Sequence, residues 1–167
     1  DQDTAVKRIR AAVEARRDPN FLIMARTDIR GVEGTDAAKD RAKALVDAGA
    51  DAIFPEAMGT LEEYAAMREA VDVPILANMT EFGKSDLFTT QQLADVGVNV
   101  VIFPVSLLRI AMGAAERALE SLNAEGSLTS KVPEMQTRAR LYELVDYAAY
   151  GEFDSNVFTF DLANNRS

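Results

Sequence analysis

The stretch VPILANMTEFG, residues Val73–Gly83, joins two segments of opposite character and decides the fold prediction. Val73–Ala77 is an apolar run of strand length, and the polar side chains of Asn78, Thr80 and Glu81 follow it directly. Buried parallel strands are near-continuous apolar runs, and functional groups of parallel α/β folds lie at the carboxyl ends of such strands. The stretch therefore predicts a core strand that ends in a site. A polar loop after a core strand is the plainer alternative.

The same arrangement recurs along the chain, which favours the site over the polar loop. Apolar runs of strand length occupy residues 21–25, 52–54, 73–77 and 98–103, and a helical segment follows each of them. The polar side chains at or just past their ends are Arg26, Glu56, Asn78 with Thr80, and Arg109. Alternation of apolar strands with helices predicts a parallel sheet covered by helices, so these side chains are expected along one edge of the sheet.

Capping residues, glycines and prolines predict where the helices begin and end. Thr35 or Asp36 is expected to cap the second helix, Thr60 has the capping-box spacing to Glu63, and Thr89 or Thr90 is expected to cap the fourth helix. The predicted helices cover about residues 3–17, 36–48, 61–71, 90–96, 106–125 and 133–150, with a loop at 30–35 and a linker at 126–132.

The composition excludes several classes of function. The chain of 167 residues has a net charge of −9, which argues against nucleic acid or an anionic membrane surface as a partner. It contains no cysteine and no histidine, so a thiolate nucleophile, a histidine base and the common zinc sites are excluded within it. Asp1–Asp3 has no signal-peptide character, and the lack of cysteine fits a reducing compartment, so a cytoplasmic location is expected.

Two arginines beside a neutral amide and a hydroxyl suit a small substrate that carries several carboxylates. Arg26 and Arg109 offer the planar fork that binds a carboxylate through two parallel hydrogen bonds. No glycine-rich phosphate loop follows the third or fourth strand, so carboxylate is favoured over phosphate. Glu56 has three interpretations: an acid or base, a partner for a substrate hydroxyl, or an ion-pair partner of Arg26. Arg109 is equally compatible with an exposed helix surface.

Four motifs carry a resemblance to a known family. They are ARTD (Ala25–Asp28), FPEA (Phe54–Ala57), PILANMTEFG (Pro74–Gly83) and MQTR (Met135–Arg138). On these motifs the sequence resembles the 2-methylisocitrate lyases of the isocitrate lyase and phosphoenolpyruvate mutase superfamily. The resemblance implies the C-terminal half of a (β/α)8 TIM barrel, that is, four parallel strands with helices. It also implies an extra C-terminal helix of the type that is swapped between subunits of a homotetramer.

The resemblance also implies an activity and a set of site residues. The family cleaves 2-methylisocitrate to pyruvate and succinate with magnesium, in the methylcitrate pathway of propionate catabolism. In this picture the arginines clamp substrate carboxylates, while Asn78 and Thr80 hold a second carboxylate with Met79 between them at the level of the backbone. The implied substrate-binding residues are Arg26, Glu56, Asn78, Met79, Thr80, Arg109 and Arg138.

The sequence departs from this family in extent. The family's magnesium aspartates, its Ser-Gly-Gly substrate loop and its Lys-Lys-Cys-Gly-His loop, whose cysteine is the proton donor or base, belong to a first half of the barrel that has no counterpart here. We therefore expect no catalytic residue and no metal ligand in this chain, magnesium ligands in that N-terminal half, and little or no lyase activity for the isolated polypeptide. Residues 1–152 are predicted to form the barrel part and residues 153–167 a loose tail.

Two alternatives stay open. One is another superfamily member: a dimethylmalate-type lyase, an oxaloacetate decarboxylase, or a phosphonate mutase or hydrolase. The phosphonate mutases and dimethylmalate-type lyases look more like Asn-Met-x-Glu-Gly-Gly where this chain has Thr80 and Phe82. The other alternative is a non-catalytic half-barrel that binds a dicarboxylate or completes a partner subunit. Because half a barrel leaves two open edges, we expect a homo-oligomer with swapped C-terminal helices rather than a stable monomer.

Overall fold

The computed structural model describes residues 1–83 and 85–158, and the chain divides into two compact units, Asp1–Ala111 and Met112–Ser167. The helices are α1 (Gln2–Ala15), α2 (Arg30–Glu33), α3 (Thr35–Asp47), α4 (Leu61–Ala70), α5 (Thr90–Asp95), α6 (Ser106–Glu125), α7 (Arg138–Leu144) and α8 (Tyr147–Phe158). The strands are β1 (Met24–Thr27), β2 (Ala52–Pro55), β3 (Leu76–Asn78) and β4 (Val100–Ile102). Among the described residues, no helix is both long and apolar enough to cross a bilayer.

The four strands are parallel, so the predicted α/β class is confirmed. β1 pairs with β2, and β3 pairs with β4. A parallel bridge between Ile53 and Ile75 connects the two pairs, and the backbone N–H of Ile53 donates to the Pro74 carbonyl over 2.9 Å. The carboxyl ends of the strands, where Arg26 and Asn78 lie, therefore share one edge.

The core of the first unit lies between the strands and helices α3 and α4. Ala38 and Ala42 of α3 are fully buried, and their small side chains let the helix approach the strands closely. Met67 of α4 is fully buried as well, and so are Ile53 of β2 and Ile75. Burying a side chain of that size contributes about 1.5–3 kcal/mol relative to leaving it exposed, so this packing holds the strand ends in place.

Glycines end two helices as the sequence predicts. Gly49 after α3 has φ +103°, and Gly97 after α5 has φ +85°. A Cβ at Gly97 would lie 2.6 Å from Arg68 Cδ, so both the backbone angle and the space favour glycine there. The predicted cap of α5 is also confirmed, because Thr89 and Gln92 form a reciprocal capping box.

The predicted cap of the second helix was wrong. Gly34, rather than Thr35 or Asp36, is the N-cap residue of α3, and no side chain caps that helix. The Thr35 hydroxyl instead donates to Glu63 Oε1 over 2.7 Å, which directs it away from the helix end. The loop predicted at residues 30–35 contains the short helix α2, which comes directly before α3.

The capping box at the start of α4 forms only in part. The Thr60 hydroxyl accepts from the Glu63 backbone N–H over 3.3 Å, as predicted. The Glu63 carboxylate, however, accepts from Arg30 Nη2 over 2.7 Å and from the backbone N–H of Gly59. Glu63 therefore ties the segments that follow β1 and β2 together, and a charged hydrogen bond to arginine replaces the second half of the box.

Three strands begin later than predicted, and β4 is one of them, since it begins at Val100 instead of residue 98. β1 begins after Phe21, whose N–H donates to the Asp18 carbonyl over 3.0 Å in a turn. β3 begins after Val73 and Pro74, since proline has no N–H to donate to a neighbouring strand. β1 also extends to include Arg26, which the sequence placed just past the strand.

The second unit differs most from prediction. α6 agrees with the predicted long helix, but the single helix predicted at residues 133–150 was wrong. Pro133 lies in a 3₁₀ segment, Thr129–Glu134, and Met135 after it is extended with ψ 145°. The chain then restarts as α7, with the Thr137 hydroxyl accepting from the backbone N–H of Arg140 over 3.2 Å.

The predicted tail is helical over part of its length. Asp146, with φ +50°, separates α7 from α8, and α8 continues through Gly151 to Phe158. Residues 153–158 are therefore helical rather than loose, because an isolated glycine lowers helix propensity without ending a helix. Residues 159–167 of the predicted tail lie outside the described residues.

Candidate functional site

One cleft of the first unit collects polar side chains from the ends of three strands. It has a volume of about 410 Å³. Arg26 comes from β1, Glu56 follows β2 and Thr80 follows β3, so three of the predicted site residues meet here. The residues that line the cleft are Arg26, Asp28, Gly31, Val32, Glu56, Ala57, Thr80, Gly83 and Ser85.

The Arg26 guanidinium is held on two sides. Its Nε and Nη2 donate to the two carboxylate oxygens of Asp28 over 3.0 and 2.7 Å, and it lies over the Phe54 ring, 5.0 Å from the centroid. Nη2 lies 3.5 Å from Glu56 Oε2, so the ion pair with Glu56 is present but longer than the one with Asp28. The hydrogen bond with Asp28 raises the pKa of Arg26, and the same bond lowers the pKa of Asp28.

Glu56 and Asn78 connect two strand ends. Asn78 Nδ2 donates to Glu56 Oε2 over 3.3 Å, and the Glu56 backbone N–H donates to the Thr27 carbonyl over 2.9 Å. Asn78 Oδ1 is buried and has no hydrogen-bond partner among the described residues. Asn78 itself does not line the cleft, and its unpaired amide oxygen is free to accept from a donor such as a water molecule.

Arg109 reaches the strand ends through one nitrogen. Its Nη1 lies 3.5 Å from Thr80 Oγ1, 3.0 Å from the Glu81 carbonyl and 2.9 Å from Glu81 Oε2. The Ser106 hydroxyl donates to Glu81 Oε1 and, with the Glu81 backbone N–H and Arg109, lowers the pKa of Glu81. The Arg109 guanidinium also lies 5.5 Å from the centroid of the Phe82 ring. Arg109 is thus next to a cleft residue, Thr80, instead of pointing away on a helix surface.

Met79 and Arg138 differ from the other predicted site residues. Met79 is fully buried, its sulfur accepts from the Phe88 N–H over 3.3 Å, and its own N–H donates to the Ile102 carbonyl over 2.9 Å. Its side chain therefore belongs to the core. Arg138 is the first residue of α7, after the N-cap Thr137, and lies in the second unit. A role for Arg138 in the site stays a prediction.

Residues 1–123 match the sequence profile of the family described as phosphoenolpyruvate phosphomutase. The chain belongs to this family. The superfamily predicted from the motifs is thereby confirmed.

Within this superfamily, the chain is similar to proteins named as 2-methylisocitrate lyases. The chain is 55% identical over 158 residues to a probable 2-methylisocitrate lyase 2 of Corynebacterium glutamicum, covering 95% of this chain and 52% of the relative. It is 48% identical over 157 residues to the 2-methylisocitrate lyase of Escherichia coli, covering 94% of this chain and 53% of that enzyme. The chain therefore spans about half the length of the curated relatives it matches.

A solved structure supports the fold. The structure of oxaloacetate acetylhydrolase in complex with the product oxalate superposes with a TM-score of 0.82 at 31% sequence identity. The superposition covers 94% of this chain and 55% of that chain. The phosphoenolpyruvate phosphomutase family and this neighbour together support the prediction of part of a TIM barrel.

The sequence did not identify Tyr64 as a residue next to the candidate site. Its side chain is only 2% exposed, in α4 behind the strand ends. Burial raises the pKa of Tyr64 to about 12, the charge of Glu56 acts in the same direction, and a hydrogen bond with the Asn78 backbone partly opposes them. The hydroxyl is therefore protonated at neutral pH. An aromatic residue on the buried face of a helix gives the sequence no signal beyond a core position.

The described residues do not fit a metal site. No cluster of three or more histidine, cysteine, aspartate or glutamate side chains among them could hold a metal ion. The two carboxylates of the cleft, Asp28 and Glu56, both face Arg26. We therefore assign none of the described residues to magnesium.

A second cleft, of about 440 Å³, lies within the second unit. It is lined by Val145, Tyr147, Tyr150, Gly151 and Asp154. It offers aromatic surface and one carboxylate but no arginine or amide side chain. Its chemistry does not suit a dicarboxylate, so the strand-end cleft remains the candidate site.

Proposed function

We propose that this chain carries the carboxylate-binding part of a 2-methylisocitrate lyase, which cleaves 2-methylisocitrate to pyruvate and succinate. The observation that carries the proposal is the meeting of Arg26, Glu56 and Thr80 in one cleft, with Arg109 next to Thr80. Two guanidinium groups beside a hydroxyl and an amide suit a substrate with several carboxylates. The relatives at 55% and 48% identity, named as 2-methylisocitrate lyases, support this substrate.

The residues in the cleft and next to it have separate roles in this proposal. Arg26 and Arg109 bind and orient substrate carboxylates, and Thr80 and the Asn78 amide add hydrogen bonds. Loss of the proton of the substrate hydroxyl turns the carbinol carbon into the ketone of pyruvate as the adjacent carbon–carbon bond breaks. The electron pair of that bond passes to the succinate fragment and spreads into its carboxylate, and succinate is complete only after a proton is added at the carbon that carried the broken bond. The arginines stabilise the negative charge that develops there, which is the kind of electrostatic effect that accelerates such steps most.

Glu56 is placed to hold the side chains of Arg26 and Asn78 in position relative to each other. It lies between Arg26 Nη2, at 3.5 Å, and Asn78 Nδ2, at 3.3 Å. Because one Glu56 oxygen lies next to two donors on neighbouring strand ends, we propose a substrate-contacting and orienting role for it instead of a proton-donating one. Met79 contributes through its backbone, and Arg138 completes the anion clamp.

The proton-transfer group and the metal ligands are assigned outside these residues. The chain contains no cysteine, and its described residues hold no carboxylate cluster for magnesium. We propose that both come from the part of the relatives that this chain does not match. The 167-residue polypeptide is accordingly expected to bind a dicarboxylate with little or no turnover. We further propose a cytoplasmic homo-oligomer with swapped C-terminal helices.

Another activity of the superfamily is the alternative, and the comparisons do not favour it. The structural match to oxaloacetate acetylhydrolase is 31% identical to this chain, whereas a relative named as a probable 2-methylisocitrate lyase is 55% identical. Phe82 also departs from the Asn-Met-x-Glu-Gly-Gly pattern of the phosphonate mutases, which has glycine at that position. Release of product from a phosphonopyruvate-type substrate, with none from 2-methylisocitrate, would select this alternative.

Calorimetric titration and a pyruvate assay test the proposal together. Succinate is titrated into the purified chain without magnesium, and pyruvate release from 2-methylisocitrate is then measured with magnesium present. We expect saturable one-site binding of succinate and no pyruvate above background. Pyruvate release by the pure chain would refute the assignment of the proton-transfer group to another segment. Absence of succinate binding would refute the carboxylate site itself.

A further inference from the structure

The two arginines of the candidate site each contact one aromatic ring and one carboxylate. Each guanidinium lies over an aromatic ring, Arg26 over Phe54 and Arg109 over Phe82. Each also donates to a carboxylate, which is Asp28 for Arg26 and Glu81 for Arg109. The repetition of ring and carboxylate at two separate strand ends indicates a device for fixing arginine side chains, since a free arginine loses much conformational freedom when it binds.

The contacts of Arg109 use one edge of the guanidinium. Every hydrogen bond that it makes to Thr80 or Glu81 runs through Nη1. Among the described residues, none accepts a hydrogen bond from its Nη2 or Nε. The remaining edge can therefore donate two parallel hydrogen bonds to a ligand carboxylate without breaking the contact with Glu81.

Glu81 is itself fixed from a different element. The Ser106 hydroxyl, at the start of α6, donates to Glu81 Oε1, while Arg109, one turn later on the same helix, donates to Glu81 Oε2. Both carboxylate oxygens are therefore occupied by α6. This arrangement clamps the loop after β3 to the first turn of α6, next to the cleft residue Thr80.

From this geometry we propose that Glu81 is a positioning residue: held by Ser106, it fixes Arg109 through Nη1 and keeps the opposite edge of the guanidinium available for a ligand carboxylate. The proposal deepens the proposed function and rests on it, since the ligand is the same dicarboxylate. It also assigns a role to a residue that the sequence left open. Glu81 stays bound to Arg109 in the liganded state, and does not compete with the ligand for it.

Neutralisation of Arg109 by Glu81, the alternative to positioning, would change the affinity for an anion in the opposite direction. If Glu81 only neutralised Arg109, its removal would raise the positive charge beside the cleft and tighten the binding of an anion. If Glu81 positions Arg109, its removal frees the side chain and weakens binding, because the arginine must then be ordered by the ligand. The direction of the change in affinity therefore separates the two.

The first experiment measures succinate affinity by calorimetry for the wild-type chain, Glu81→Ala, Glu81→Gln and the control Glu69→Gln. Glu69 is an exposed residue of α4, and its replacement changes the net charge equally. We expect Glu81→Ala to weaken binding about tenfold, which corresponds to about 1.4 kcal/mol, with Glu69→Gln unchanged. Unchanged or tighter binding in Glu81→Ala would overturn the proposal.

The second experiment needs no ligand and so separates failure of this inference from failure of the proposed function. The side-chain Nε–H signals of Arg109 and Arg26 are followed by NMR, with each signal assigned by its loss in the Arg→Lys variant. We expect Glu81→Ala to make the Arg109 signal mobile on the nanosecond timescale while that of Arg26 stays rigid, and Asp28→Asn to do the reverse. A rigid Arg109 signal in Glu81→Ala would show that Glu81 does not position it, whatever succinate does.

Discussion

Asn78 donates through Nδ2 to Oε2 of Glu56 over 3.3 Å, and this hydrogen bond joins the end of β3 to the end of β2. It places an amide and a carboxylate that are far apart in sequence at the same point of the parallel edge. The same Glu56 oxygen lies 3.5 Å from Arg26 Nη2, so residues of three strands meet around it. The candidate site is built on this convergence.

Replacement of Asn78 by aspartate should destabilise the fold, because it removes the hydrogen bond from Asn78 to Glu56. Two carboxylates in hydrogen-bonding distance repel each other in a partly buried site, so we expect the free energy of unfolding at pH 7 to fall by about 1–3 kcal/mol. Urea denaturation measures it. The double variant Glu56→Gln, Asn78→Asp should recover most of the loss, because it removes the like charge. Equal losses with and without Glu56→Gln would rule out the contact as the cause.

Arg26→Lys tests the fork geometry at constant charge. Lysine cannot donate two parallel hydrogen bonds from one planar group, so we expect succinate affinity to fall at least about tenfold, or about 1.4 kcal/mol. Arg8→Lys, on the exposed surface of α1, is the matched control and should bind as the wild type does. Affinities that agree between the two variants would remove Arg26 from the site.

The pair of Asp28 and Arg26 should make stability depend on acid pH. Arg26 holds the pKa of Asp28 below its ordinary value of 3.8, so the ionised pair stabilises the fold above that pH. The contribution is lost as the pH falls through the lowered pKa. Because the Asp28 side chain is 61% exposed, we expect less than about 1 kcal/mol. The difference in unfolding free energy between wild type and Asp28→Asn should therefore vanish at low pH. A difference that persists unchanged there would contradict the assignment.

Tyr64 should titrate at alkaline pH and stabilise the fold below that range. Its folded pKa of about 12 lies above the ordinary value of 10.0, so stability should fall as the pH rises between these values. The ultraviolet absorbance of tyrosinate measures the titration, and Tyr64→Phe should remove that step. Tyr64→Ala should cost about 3–5 kcal/mol by leaving a cavity, whereas Tyr64→Phe should cost far less. If the alkaline step is lost in a variant of another tyrosine instead, the step does not belong to Tyr64 and the prediction is wrong.

The open edge of β4 and the apolar start of α6 should drive self-association. Val100 in β4 is 40% exposed, and Phe103, Leu107 and Ile110 are more exposed still. Exposed apolar surface beside an unpaired strand edge favours association. Sedimentation velocity should show concentration-dependent oligomers, and Val100→Lys should reduce them. A single sharp monomer with cooperative unfolding would contradict this expectation.

The sequence predicted the parts of the site that follow from the parallel arrangement. Residues at the carboxyl ends of parallel strands must share an edge, so Arg26, Glu56 and Thr80 could be brought together from strand order alone. The choice of partner within that edge depends on distances that strand order does not determine. Arg26 pairs more closely with Asp28 than with Glu56, and this follows from the local path of the chain after β1.

Other features depended on contacts between elements. The Glu63 side chain does not complete the predicted capping box because it accepts hydrogen bonds from Arg30 and Thr35, which lie in another segment. Tyr64 is buried because it belongs to the core cluster that α4 shares with Ile53 and Ile75. A charged or aromatic residue on a helix carries no sequence signal that separates such roles from an ordinary core or surface position.

The most direct test of the carboxylate-binding site is backbone amide NMR of the chain during a titration with succinate. Saturable shifts should concentrate at Arg26, Glu56, Asn78 and Thr80, with Arg26→Lys weakening all of them together. Two results would contradict the assignment of the strand-end cleft to carboxylate binding. One is that the shifts concentrate at the second cleft, around Tyr147 and Asp154, and the other is that no shifts appear at saturating succinate.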